Sequence, residues 1–238
     1  MILSGKFAAG CESTSIDWPH TEINDQNVAE DARTRAGRAG NAVSCTILNT
    51  VSDRPEPEYL QPPVRADGPI SLADPDPAWV GQYAREEKRI RTAVGQRAIL
   101  IEHVGSTSVP ELAAKPVIDI VLVVADSANE SSYLPDLETA GYELQFREPD
   151  LDEHRLLRDH NPDVQVHVFT AGNPEVERML LFRDRLRAIP QDRDLYQRTK
   201  RELADRRWDY IQDYADAKSS VVEEIIARAQ ADQHAGSA

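Results

Sequence analysis

At 238 residues and 40% hydrophobic content, the chain has room for one sizeable core with extra segments or for two small domains, and a single core is expected. A formal net charge of −14 sets the overall field against nucleic-acid backbones and anionic membranes, so polymer binding is not expected, although a local basic groove for one small anion is compatible with it. No apolar run approaches the ~20 residues that span a bilayer, and Met1 to Ser13 has no basic-then-apolar leader pattern, so a cytoplasmic location is expected.

In chain order, residues 1–67 mix Gly, Ser, Thr, Asn and charged residues without a sustained period, and the proline-punctuated run from Asp53 to Pro63 reads as a linker. Asn27 to Ala39 could form a short polar helix and Ala42 to Val51 a strand, but neither would bury much alone. Cys11 and Cys45 lack C-x-x-C spacing and give no case for zinc or a disulfide. This segment is expected to be an extension that the rest of the fold does not need.

The folded domain is expected over residues 68–230. Pro69 to Ala73 reads as a strand, and Asp76 and Pro77 open a helix that carries Trp79, Tyr83, Ile90 and Val94 on one face and ends near Gly95. Ala98 to Val104 and Val117 to Val124 read as two central strands. A helix from about Ser131 to Ala140, closed by Gly141, leads to strands at Tyr142 to Arg147, His154 to Arg158 and Val164 to Phe169, an antiparallel-leaning mixed sheet. The remainder reads as helices over Pro174 to Ile189, Asp192 to Tyr214 and Asp216 to Gln230, with residues 231–238 a disordered tail.

Candidate chemistry concentrates between residues 101 and 124. Gly105, Ser106, Thr107 and Ser108 follow a strand, and in such a turn a glycine permits close backbone approach while hydroxyls and N–H groups face an anion. The turn is neither a P-loop nor a dinucleotide fingerprint, since the required further glycines and the lysine are missing. Lys115 precedes the next strand, where Asp119 shares a face with Val121 and Val123, a carboxylate among apolar neighbours. Such a group needs a metal or a cation for a partner, and the bland reading is a structural carboxylate tied to the turn or to Lys115. His103, His154 and His167 are strand histidines, which are often only structural, and Glu102, Arg155 and Lys200 are further polar candidates. Arg183 and Arg187 project from one helical face, as do Tyr196 with Lys200; Tyr214 and Lys218 repeat that spacing.

The block Glu102-His-Val-Gly-Ser-Thr-Ser-Val-Pro-Glu-Leu-Ala-Ala-Lys-Pro-Val-Ile-Asp119 resembles, nearly residue for residue, the signature of the GrpB family, with Glu111 where the family usually carries glycine. The segment Phe182 to Arg187 also resembles a family pattern, with Arg185 in place of its tyrosine. The resemblance, which covers roughly Pro69 to Ala229, implies an α+β, nucleotidyltransferase-like mixed β-sheet flanked by helices with a helical C-terminal part. It further implies a nucleoside triphosphate or another anionic small molecule as ligand. Asp119, His167 and His103 are then the catalytic candidates, with Asp119 holding Mg²⁺. Gly105, Ser106, Thr107, Ser108, Lys115, His154, Arg155, Arg183, Arg187 and Lys200 are the candidates for phosphate or substrate binding. Two carboxylates flanking one strand residue are the usual pattern for two-metal transfer, but position 121 is valine and the later strand offers Gln165 and His167. A transferase or ligase and a binding module that has lost turnover are therefore both expected readings. Some relatives carry the domain fused to dephospho-CoA kinase; no Walker A sequence occurs in these 238 residues, so that activity is not expected of them.

Overall fold

The computed structural model describes residues 57–66, 68–150 and 153–236. The helix and strand expected before residue 52 lie outside the described residues.

A six-stranded sheet carries the fold, in the order β1-β4-β5-β6-β3-β2. The strands are β1 (Glu58–Tyr59), β2 (Leu100–Val104), β3 (Ile118–Val124), β4 (Glu143–Glu148), β5 (His154–His160) and β6 (Asp163–Thr170). Among them only β3 and β6 run parallel. Every residue of β3 is buried, as its β-branched, apolar sequence demands of a central strand covered on both faces.

Strand alternation divides β3 between two cores. Ile118, Ile120, Leu122 and Val124 join the larger core under α1 (Ala78–Val94) and α2 (Leu134–Thr139), together with Trp79, Ile90, Tyr133 and Leu157. Val121 and Val123 face the other way, where Val104, Phe169, Val176 and Met179 complete a smaller core under α3 (Pro174–Ala188). A third core joins α3 to α4 (Pro190–Ala204) and α6 (Ser219–Gly236) through Phe182, Leu186, Tyr196, Val222 and Ile225, and takes in Val109 and Leu112 from beyond the turn. The architecture is the α+β mixed sheet with flanking helices and a helical C-terminal part that the sequence implies.

Several boundaries differ from expectation. Residues 69–73 form no strand; Ala73 makes an isolated bridge to Ala114. The long helix expected over Asp192 to Tyr214 is interrupted: α4 stops at Ala204 and α5 runs Ile211–Asp216. The incoming chain causes the break, since Ile70 N–H donates to the Ala204 carbonyl, Ala66 N–H to Asp209, and Ile211 N–H to Val64. The domain therefore begins before residue 68: β1 pairs with β4 and Arg65 bridges Tyr210. At the other end α6 continues through Gly236, past the expected limit at 230. Among the described residues no helix is long and apolar enough to cross a membrane.

Candidate functional site

The turn after β2 is built against Asp119. Gly105 adopts φ 69° and ψ −174°, a region open in practice to glycine alone, and a Cβ placed on it would lie 2.2 Å from Asp119 Oδ2. The sequence brings this about by ending β2 at Val104, the residue that faces Asp119 in register. The turn's hydroxyls are then spent differently. Ser108 Oγ donates to the Gly105 carbonyl (2.6 Å), and Thr107 Oγ1 donates to the Val117 carbonyl (2.9 Å) and meets His103 Nε2 (3.0 Å). The Ser106 hydroxyl is hydrogen-bonded to the buried Tyr196 hydroxyl.

On the same face of the sheet His167 Nε2 stands 3.7 Å from Asp119 Oδ1. Behind it His167 Nδ1 lies 3.3 Å from His154 Nε2, and His154 Nδ1 lies 2.8 Å from Glu148 Oε2. Burial pushes the His167 imidazole down to about 3 and lowers that of His154, so both are neutral at physiological pH. Two neutral imidazoles bring two protons to three links, and the side-chain interaction of Asp119 with His167 places one of them on the His167 Nε2 that faces the carboxylate.

Cations close the other side. Lys115 enters from the loop before β3, Lys200 from α4 and Lys218 from the turn between α5 and α6. Lys200 and Lys218 are 2% and 5% exposed. All three ammonium groups feel the Asp119 charge, and burial lowers each of them, Lys218 to about 7. Lys200 Nζ donates to the Ala113 carbonyl (2.5 Å), and Lys218 Nζ stands 4.1 Å from the centre of the Tyr214 ring.

The structure thus brings together Gly105, Ser106, Lys115, Asp119, His167 and Lys200, with His154 one step behind. It separates the other candidates. His103 projects to the opposite face, stacked on Tyr83 at 4.7 Å, where burial pushes it down to about 4. Arg155 also leaves the site: one residue out of phase with His154, it binds Glu130 and Glu153 at 2.6 and 2.8 Å. Arg183 is committed to Glu102 (2.7 Å) and the His103 carbonyl (3.1 Å). Arg187 donates twice to the Ser108 carbonyl (3.0 and 2.9 Å), so the arginines brace the turn from outside. Lys218, Tyr214 and Glu148 were missing from the expected set. The repeated Tyr-x-x-x-Lys spacing of 196/200 and 214/218 was the available signal for the first two.

Asp119 as an Mg²⁺ ligand meets a poor donor set. Among the described residues no group of three or more His, Cys, Asp or Glu is disposed to hold a metal ion. Asp119 is flanked by Val121 on its own strand and Gln165 on β6. A two-metal transfer site does not fit these residues, and lysines stand where such a site needs more carboxylates.

Fold and site define a class: an α+β domain of mixed sheet and flanking helices whose glycine turn lies over a single carboxylate walled by lysines. The comparisons give the family. A family model described as "GrpB protein" matches residues 69–228, and the chain belongs to the GrpB family. It is 56% identical over 162 residues to the UPF0157 protein BH1888 of Halalkalibacterium halodurans, covering 68% of this chain and 83% of that one. A dephospho-CoA kinase of Mycolicibacterium paratuberculosis is 32% identical over 190 residues, a match covering 69% of this chain and 47% of the kinase. The crystal structure of the conserved protein GrpB from Enterococcus faecalis superposes with a TM-score of 0.60 at 31% identity, covering 67% of this chain and 96% of that one.

Proposed function

We propose that the chain binds a nucleotide or another phosphorylated small molecule, with the phosphates under the Gly105 turn. The observation that carries this reading is that Lys115, Lys200 and Lys218 all face one carboxylate, Asp119, in surroundings where buried ammonium groups are costly to keep without an anion. The turn contributes close backbone approach at Gly105, and the lysines contribute charge. Asp119, backed by the buried histidines, is the group positioned to orient an acceptor beside the phosphates or to take its proton. On this reading the protein is a transferase or ligase that moves a nucleotidyl or phosphoryl group to a small acceptor.

A second reading is a binding module without turnover, and valine at position 121 in place of a second carboxylate favours it. Calorimetric titration with each nucleoside triphosphate, with and without Mg²⁺, tests the binding common to both. Heat that disappears in Lys200→Met supports it, and absence of binding by every nucleotide in both conditions refutes it. Release of pyrophosphate or phosphate in the presence of small hydroxyl or amine acceptors then separates enzyme from module.

A further inference from the structure

Three cations share one carboxylate beneath the Gly105 turn. Lys218 faces Lys115 from the loop before β3, Asp119 from β3 and Asp216 from the end of α5. Lys200 faces Lys218 and Asp119. Lys115 faces Asp119, with Asp163 and Arg158 further out on the sheet. With all three lysines charged, the three ammonium groups and Asp119 sum to two positive charges, which the exposed Asp216 beside Lys218 reduces to one, and Lys200 and Lys218 are almost wholly removed from water. An independent observation points the same way. The hydroxyl of Tyr214, a residue 2% exposed whose ring lies beneath the Lys218 ammonium, has no hydrogen-bond partner among the described residues. A buried phenol without a partner has lost its hydrogen bond to water with nothing in return, a loss that an acceptor oxygen arriving with a ligand would recover.

We propose that this cluster seats a phosphoryl group bearing two negative charges, the terminal phosphate of a mono-, di- or triphosphate, and that seating it draws protons from solution onto the buried pair Lys200 and Lys218. This rests on the function proposed above and specifies its ligand. Three ammonium groups around one buried carboxylate favour a dianion, which can meet more than one of them at once, over carboxylates and phosphodiesters, which bring one charge. The same arrangement makes the lysines a conditional partner. Without the anion their mutual repulsion and burial favour the neutral amines, and with it each ammonium gains an opposite charge at contact distance. Lys218, lowered to about 7 by burial with the Lys115 charge adding to the effect, is the group whose state changes most readily near neutral pH.

The test is calorimetry of the full chain with ATP and no metal at about pH 8.5, where the terminal phosphate is fully ionised and a lysine of ordinary pKa is already charged. The titration is repeated in buffers of different ionisation enthalpy. The expected result is a positive dependence of the observed heat on buffer enthalpy, equivalent to uptake of about one proton per ATP. Lys218→Arg, which cannot release its proton, should still bind but take up less. Cyclic AMP, a phosphodiester, should bind at least about tenfold more weakly than AMP. Bound ATP with no proton uptake, or cyclic AMP binding as well as AMP, would overturn the inference while leaving nucleotide binding intact. If neither ATP nor AMP binds, the proposed function fails with it. The wild-type buffer series needs no variant, so a misfolded Lys218→Arg protein leaves the test decisive.

Discussion

Gly105→Ala probes the contact on which the site is built. Two costs add at this position. A side chain at φ 69° and ψ −174° occupies a region that residues other than glycine avoid, at about 1–3 kcal/mol. The new Cβ would also lie 2.2 Å from Asp119 Oδ2 and 2.8 Å from Asp119 Cβ, so β3 or the turn must shift, and overpacking of that kind costs about 1–3 kcal/mol. The expected loss is therefore roughly 2–6 kcal/mol. Gly172→Ala is the control: its φ is 81°, but a Cβ there meets nothing within 4 Å, so only the conformational cost of about 1–2 kcal/mol applies. Urea unfolding of the three proteins reads both. With a slope of about 1–3 kcal/mol per molar urea, the midpoint should fall by roughly 1 M or more for Gly105→Ala and clearly less for Gly172→Ala. Equal losses in the two variants would show that the Asp119 contact contributes nothing and that the turn is not packed on the carboxylate.

Glu111, which holds φ 64° where the family usually has glycine, is strained, and its pairing with Arg193 is exposed; Glu111→Gly should raise stability by roughly 1 kcal/mol, and a lower melting temperature would contradict this. A chain starting at Gly68 loses β1 and the Arg65–Tyr210 bridge, so it should melt below a chain starting at Pro57, by about 1–2 kcal/mol; identical melting curves would restore residue 68 as the boundary. His167 is neutral in the folded protein down to about pH 3 but takes a proton below about 6.5 when unfolded, so it contributes stability that is complete above 6.5 and lost as pH falls through that window. His167→Gln should reduce the slope of unfolding free energy against pH between about 4 and 6 by roughly 1.4 kcal/mol per unit, and an unchanged slope would mean that the imidazole is not held neutral.

The legible parts of the fold are those where one periodicity decides the outcome. Asp119 could be set on a face with Val121 and Val123 because strand alternation leaves no choice, and α1 could be read from Trp79, Ile90 and Val94. The break after Ala204 could not. Asp205, Arg206 and Arg207 contain no proline or glycine, and the helix ends because Val64, Ala66 and Ile70, distant in sequence, take over the backbone partners of Ala204, Asp209 and Ile211. The two residues of β1 are too few to show a period. In the site, Lys218 was visible as half of a repeated Tyr-x-x-x-Lys spacing, but its convergence with Lys115 and Lys200 depends on the bend between α5 and α6. Arg155 was misplaced for the opposite reason: chemical suitability outweighed its position, one residue out of phase with His154.

The parallel pairing of β3 with β6 has a kinetic consequence. These neighbours at the centre of the sheet are separated in sequence by α2 and the β4–β5 pair, so their alignment requires a long loop to close before any contact between them is formed. Asp119 and His167 sit on that seam, and Lys200 and Lys218 arrive only when α4 and α5 have docked against it. The site is thus assembled by the slowest, least local events of folding, and no partially folded chain lacking the seam can hold a ligand there. Occupancy of the site would report completed folding rather than collapse, and the rate at which binding competence appears during refolding would track closure of the β3–β6 seam rather than formation of the helices.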